Sequence, residues 1–265
     1  GMTALPLDLL RARFGNRLSE NVCLAEYCTA RTGGNASALV IANDAVQLAE
    51  AVGFFWEQNI PFITLGSGSN VLFSDEAFDQ VVLLNRAKAI RIQDAGEPPT
   101  LWAESGAHLG SIARQAALHS LSGLEWASTI PGTLGGAIYG NAGAYGKDMS
   151  QTLFMAEILH RQMGKVSWSA GQMKYAYRSS VLKRQPGEAV ILAATLQVTP
   201  GDTAQIQATM AELSERRRKS QPPGASMGSM FKNPAGDFAG RLIEAAGLKG
   251  TRIGGAEISR VHGNF

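Results

Sequence analysis

Apolar and polar positions alternate with two periods along the chain, and the changes between them mark out the elements. Asp44 stands at the head of a stretch in which Leu48, Val52 and Phe55 recur at helical spacing with Ala45 and Ala49 beside them. This predicts a helix capped by Asp44 and running to about Gln58. Short apolar runs at 61–65, 71–73, 80–84 and about 100–103 predict strands, and Ser111–Leu118 predicts a second helix. Further runs at 153–159 and 189–198 predict strands on either side of Lys174-Tyr175-Ala176-Tyr177-Arg178. Pro200-Gly201-Asp202 combines a turn with a helix cap, and the helix it opens carries Ile206, Met210 and Leu213 on one stripe to about Arg218. A third region holds a helix predicted at 239–246. Short strands and helices without regular βαβ alternation favour an α+β fold over a doubly wound sheet.

One stretch breaks both periods. From Pro131 to Gly146 six of sixteen residues are glycine, interleaved with Leu134, Ile138 and Tyr139. A flexible linker would lack the large apolar residues. Such density means backbone that approaches something closely or takes up positive φ. The spacing matches neither G-x-G-x-x-G nor the P-loop pattern, which leaves either a structural loop or an ordered backbone cradle for a large anionic ligand. A second small-residue segment, Gly66-Ser67-Gly68-Ser69-Asn70, follows the strand at 61–65 and reads as an anion-binding nest or as a tight hairpin. Together with Arg31-Thr32-Gly33-Gly34-Asn35 upstream, the two segments favour a bipartite dinucleotide site, with Pro131, Gly132, Gly135, Gly136, Asn141 and Gly143 as cofactor-binding positions in the cradle.

Composition changes this picture little. A chain of 265 residues that is 45% hydrophobic holds one large or several small domains, and a formal charge of +2 gives no electrostatic case for nucleic acid. The one basic run, Arg216 to Lys219, closes a predicted helix, where it suits the dipole or meets an anionic substrate. Cys23 and Cys28 have neither metal-ligand spacing nor a second pair, so no disulfide framework or metal site is expected. No apolar stretch reaches membrane-spanning length and no signal peptide is visible, so the chain reads as cytoplasmic, without a membrane partner.

Six blocks in order, Arg31–Ala36, Leu65–Leu72, Gly123–Gly146, Tyr177–Lys183, Gly228–Pro234 and Ala239–Phe265, resemble the UDP-N-acetylenolpyruvoylglucosamine reductases, flavoenzymes of bacterial cell-wall precursor synthesis. The resemblance implies an FAD-binding unit of two α+β subdomains, of the vanillyl-alcohol-oxidase/PCMH-like type, followed by a smaller α+β substrate domain. The implied divisions are an N-terminal helical extension at 1–19, the FAD-binding domain at 20–198 and the substrate domain at 199–265, without the inserted substrate-covering segment of some relatives. It further implies a monomer with FAD bound non-covalently, NADPH as reductant and a UDP-sugar enolpyruvyl ether as substrate. By the same carry-over Ser229 delivers a proton and Arg178 stabilises the enolate, while Tyr177, Lys219, Asn233 and His262 contact substrate. Relatives continue beyond the His-Gly-Asn-Phe block to a glutamate, so the sequence as it stands also admits a flavin-binding module with little turnover. An oxidase on the same FAD domain is a third reading, and Ser229 argues against it.

Overall fold

The computed structural model describes residues 4–27, 35–66, 80–220, 249–253 and 256–259. Helix α1 (Leu7–Phe14) leads into β1 (Leu18–Cys23), which pairs antiparallel with β2 (Asn35–Ala42). Helix α2 (Ala45–Glu57) follows, with the Asp44 carboxylate accepting from the Gln47 amide at 2.8 Å as expected of an N-cap. The chain returns as β3 (Phe62–Gly66) and then β4 (Val81–Asn85), both parallel to β2 or to each other, giving a sheet ordered β1-β2-β4-β3. Helical spacing of its apolar positions explains how α2 packs: it buries Leu48, Ala51, Val52 and Phe55 in one core with Val40, Phe62, Val81 and Leu83. Leu10 and Phe14 of α1 close the same core, so the N-terminal helix is part of this unit's packing.

The second sheet is wholly antiparallel. It is built from β5 (Ile90–Gln93), β6 (Thr100–Glu104), then, after α3 (Leu109–Leu118), β7 (Leu121–Ser122), α4 (Leu134–Gly140), the small hairpin β8 (Gly143–Ala144) and β9 (Lys147–Asp148), and α5 (Met149–Thr152), from β10 (Leu153–His160) and β11 (Gly164–Trp168). Helix α6 (Val181–Arg184) precedes β12 (Ala189–Gln197), which takes the centre of the order β11-β10-β12-β6-β5. Strand β12 carries a bulge at Leu192, where its pairing with β10 passes from Ile191 to Ala193, so Val190 and Leu192 join the α2 core while Ile191, Ala194 and Leu196 join the core of α3 and α4. One strand therefore fastens both layers. Strand β13 (Thr199–Pro200) pairs with β7 and opens into α7 (Thr203–Ser220), which lays Ile206 and Leu213, with Met210 beside them, toward the second core. Strands β14 (Lys249–Ile253) and β15 (Ala256–Ser259) form an antiparallel pair. The strand expected at 71–73 and the helix expected at 239–246 lie outside the described residues.

Buried polar groups add to the apolar packing where the two sheets meet. The Glu104 carboxylate, 5% exposed, accepts from the α2 amide of Ala45 at 2.6 Å and from Ala89 at 2.9 Å. The Asn85 amide donates to Ser105 Oγ at 2.9 Å. These bonds bring the end of β4, and with it Gly66 on the neighbouring strand, against the loop that follows β6.

Candidate functional site

The glycine-rich stretch is not a loop throughout. Thr133 caps a short helix, α4, its hydroxyl accepting from the Gly136 amide, and Asn141 ends the helix in the left-handed region at φ 51°. The Leu134 and Gly135 amides donate to the carbonyls of Ala107 and Ser105 at 2.9 Å each. These amides at the helix start are thus already bonded, and the cradle offers shape rather than free donors there. Gly132, at φ 113°, sits exposed beside Pro131, and a Cβ placed on it would meet nothing within 4 Å. Backbone that only glycine adopts easily, facing open space at the mouth of the cradle, fits a bulky ligand lying against it. Gly143 is different: a Cβ there would come within 2.6 Å of the Lys147 carbonyl and of Asp148 Cβ, so its glycine serves the β8–β9 hairpin.

The segment bearing Tyr177 and Arg178 is docked onto this helix. Tyr175 Oη donates to the Ile138 carbonyl at 2.7 Å and Ser180 Oγ donates to the Tyr139 carbonyl at 2.6 Å. Helix α4 leaves its last carbonyls without intrahelical donors, and two hydroxyls from a distant segment meet them. Burial, and then the nearby Asp148, raise the Tyr175 phenol well above its ordinary value, which keeps that hydroxyl a donor. Asn141 adds a third tie, its side-chain amide donating to the Ala176 carbonyl at 3.1 Å and to Asp148 at 3.3 Å while its oxygen accepts from the Ser150 amide. The Asn141 side chain is fully engaged within the protein.

Ala176 and Ser179 exchange two backbone bonds across a tight turn whose centre is Tyr177-Arg178. Arg178 lies at φ 50°, an uncommon region for a residue with a side chain. Its guanidinium donates to the Gly143 carbonyl at 3.2 Å and covers the Tyr177 ring at 5.4 Å, and Lys183 Nζ donates to its carbonyl at 3.0 Å. Both side chains are exposed, Tyr177 at 88%.

The structure therefore brings Pro131, Gly132, Gly135, Gly136, Asn141, Gly143, Tyr177 and Arg178 into one neighbourhood, and the Ser105 loop joins Gly66 to it through Asn85. Lys219 stands apart at the exposed end of α7, 3.9 Å from Glu215. Its neighbour Arg218 pairs with Glu215 at 2.6 Å, and Arg216 covers the Tyr145 ring, so the basic run is largely engaged with its own helix and with Tyr145. Ser67, Gly68, Ser69, Asn70, Ser229, Asn233 and His262 lie outside the described residues. Sequence reading missed Tyr175 and Ser180 as supports, since only the fold carries them to α4. No helix among the described residues is long and apolar enough to cross a membrane, and no described group of His, Cys, Asp and Glu could hold a metal ion.

Comparison with known proteins decides the family. An FAD-binding-domain profile matches residues 36–168, from β2 to β11, and the C-terminal-domain profile of UDP-N-acetylenolpyruvoylglucosamine reductase matches 219–265. The reductase of Chloroflexus aurantiacus is 42% identical over 248 residues, which is 91% of this chain and 82% of that protein. The chain belongs to the UDP-N-acetylenolpyruvoylglucosamine reductase family. The crystal structure of the family member from Thermus caldophilus superposes with a TM-score of 0.64 at 33% identity, covering 92% of this chain and 85% of that one. An alkyldihydroxyacetonephosphate synthase, 16% identical with a TM-score of 0.53 over 73% of this chain and 43% of its own, shares the fold alone. The fold is thus α+β, with the two-subdomain FAD-binding unit of the vanillyl-alcohol-oxidase type. The FAD-binding-domain match runs from β2 through the cradle to β11, leaving out β1 and β12, and the reductase C-terminal match contains Lys219, Ser229, Asn233 and His262.

Proposed function

We propose that this chain reduces UDP-N-acetylglucosamine enolpyruvate to UDP-N-acetylmuramate with NADPH as reductant and non-covalently bound FAD, acting as a cytoplasmic monomer. The observation that carries the reading is the 42% identity, over 91% of the chain, to a protein named for this reaction. The open backbone at Gly132 fits a large cofactor, and neither glycine-rich segment contains a His or Cys for covalent attachment. In this reading FAD lies against Gly66, Ser67, Gly68, Ser69 and Asn70 and along Pro131, Gly132, Gly135, Gly136, Asn141 and Gly143, the last two contributing backbone. Held there, FAD would supply the hydride chemistry that links NADPH to the substrate's enolpyruvyl methylene carbon.

The chain's own residues do the rest. Negative charge grows on the carboxylate side of the enol ether as hydride arrives, and a fixed cation there lowers the barrier. Arg178 meets that need: its backbone is held in a tight turn and its guanidinium is pinned by Gly143. Ser229 then gives the proton to the adjacent carbon, and a serine needs cationic neighbours for that task, which Arg178 and Lys232 would supply. Tyr177, Asn233, Lys219 and His262 hold the sugar nucleotide. In domain terms we assign 20–198 to the cofactor, 199–265 to the substrate and 1–19 to an N-terminal extension, with α1 of the extension and β13 and α7 of the substrate part packed onto the cofactor unit. The relatives carry the name of an active reductase, which favours turnover over a binding module without it.

The test is steady-state oxidation of NADPH by the purified protein, expected to depend on the enolpyruvyl substrate and to yield UDP-N-acetylmuramate. A yellow protein whose NADPH consumption ignores that substrate would support the oxidase reading instead.

A further inference from the structure

The turn that presents Tyr177 and Arg178 stands on a ladder of two rungs. The Val181 amide donates to the Met173 carbonyl at 2.8 Å, and Ala176 and Ser179 exchange bonds at 3.0 and 3.1 Å. Two residues of this loop lie in the left-handed region, Lys174 at φ 47° and Arg178 at φ 50°. Such backbone persists only where its surroundings over-determine it. Tyr175 and Ser180 fix the base of the loop on α4, and the bracing nearer its tip comes from α6. Ser180 caps that single helical turn, and the Arg184 amide closes it on the Ser180 carbonyl at 3.1 Å. The Arg184 guanidinium then reaches back over the loop, donating through Nη2 to the Lys174 carbonyl at 2.5 Å and through Nη1 to Ser179 Oγ at 3.1 Å. One planar group thus ties the entering arm at residue 174 to the leaving arm at residue 179. Among the described residues Arg184 pairs with no carboxylate, so the loop is what its charge engages. A lysine ammonium, with its donors gathered at one point, does not match two acceptors set apart in this way.

We propose that Arg184 is a positioning residue for Arg178: by bridging the Lys174 carbonyl and the Ser179 hydroxyl it sets the opening of the turn, and so the place where the Arg178 guanidinium meets the developing enolate. This rests on the reading in which Arg178 stabilises that enolate, and it adds a residue that neither the glycine pattern nor the resemblance singles out. Lys183, one residue earlier on α6, holds the Arg178 carbonyl at 3.0 Å, so the short helix grips the turn at three points.

Arg184→Ala removes the bridge, and Arg184→Lys keeps the charge but not the fork. Both are compared with the parent and with Arg178→Ala in the FAD-loaded protein. Flavin reduction by NADPH is followed by stopped flow, and anaerobic reoxidation is followed over a range of UDP-N-acetylglucosamine enolpyruvate concentrations. In both Arg184 variants reoxidation at saturating substrate should slow by about tenfold to a hundredfold, the cost of displacing a reacting group by roughly an ångström, while reduction by NADPH stays within about twofold. Flavin content and thermal midpoint should stay near the parent's, because the side chain is exposed. A parent-like saturating rate in Arg184→Lys would overturn the bridging role and leave a simple charge effect. A raised substrate requirement at an unchanged saturating rate would overturn it too, marking Arg184 as a substrate contact, and so would equal slowing of both half-reactions. Reoxidation of Arg178→Ala as fast as the parent would overturn the reading of Arg178, and this inference with it.

Discussion

Replacing Ser180 by alanine should loosen the cradle from the turn that presents Arg178. Ser180 is 0% exposed, its hydroxyl donating to the Tyr139 carbonyl at 2.6 Å and accepting from the Lys183 amide at 3.2 Å as the N-cap of α6. Loss of an N-cap costs about 1 kcal/mol. Taking a donor from a buried carbonyl costs about 1–3 kcal/mol, and the methyl that remains leaves no large cavity. The sum is roughly 2–4 kcal/mol. With a slope of about 1–3 kcal/mol per molar in urea, that lowers the unfolding midpoint by roughly 0.7–4 M. The same change frees one end of the Tyr177–Arg178 turn, so reoxidation by the enolpyruvyl substrate should slow while flavin content and reduction by NADPH hold. Ser179→Ala is the control, because that hydroxyl accepts only from surface Arg184 at 3.1 Å, and it should move the midpoint by less than about 0.5 kcal/mol equivalent. A Ser180→Ala midpoint matching the parent's would refute the docking of this segment on α4.

Gly143→Ala should destabilise by about 1–3 kcal/mol, because its Cβ would press on the Lys147 carbonyl at 2.6 Å and backbone cannot step aside; a folded variant with unchanged thermal midpoint would contradict the hairpin geometry. Glu104→Gln should cost about 2–4 kcal/mol, since an amide placed between the Ala45 and Ala89 amides must turn a donor toward a donor, and calorimetry would register it as a clear fall in Tm. His108 is half-buried, and burial, reinforced by Lys88, holds its ring below the ordinary value of 6.5. The unfolded chain therefore binds the proton first, so its contribution to stability is whole above about pH 6.5 and declines as pH falls toward the folded value. His108→Gln should flatten that part of the stability profile, and an unaltered slope in urea titrations across the window would contradict it.

Much of the framework was legible because its signals are local. Asp44 caps a helix by its own side chain, and Leu48, Val52 and Phe55 fall into the core at the spacing that announces them. The apolar runs at 61–65, 80–84, 153–159 and 189–198 became β3, β4, β10 and β12 with shifts of a residue or so at their ends. What the pattern could not show is which strands pair. Nothing local tells β3 to lie beside β4 on the far side from β2, or β12 to insert between β6 and β10. The cradle was recognisable as special from its glycines, yet its helix was hidden by them, since glycine opposes helix formation and α4 leans on its buried Leu134 and Ile138, the Thr133 cap, the Ala107 and Ser105 carbonyls and the Tyr175 and Ser180 hydroxyls. Arg178 and Tyr177 were reachable by family resemblance alone, because a cation beside an aromatic carries no signature of its own.

The most direct test of the central claim is a single-turnover experiment without oxygen. The purified protein is reduced with NADPH until the flavin bleaches, then mixed with UDP-N-acetylglucosamine enolpyruvate, and the visible spectrum is followed by stopped flow. The account predicts that the oxidised flavin band returns in step with one equivalent of UDP-N-acetylmuramate, and that Ser229→Ala bleaches as fast as the parent but recovers more slowly by on the order of 10²-fold or more. A flavin that stays reduced in the presence of the enolpyruvyl substrate, and recovers only when oxygen is admitted, would contradict it.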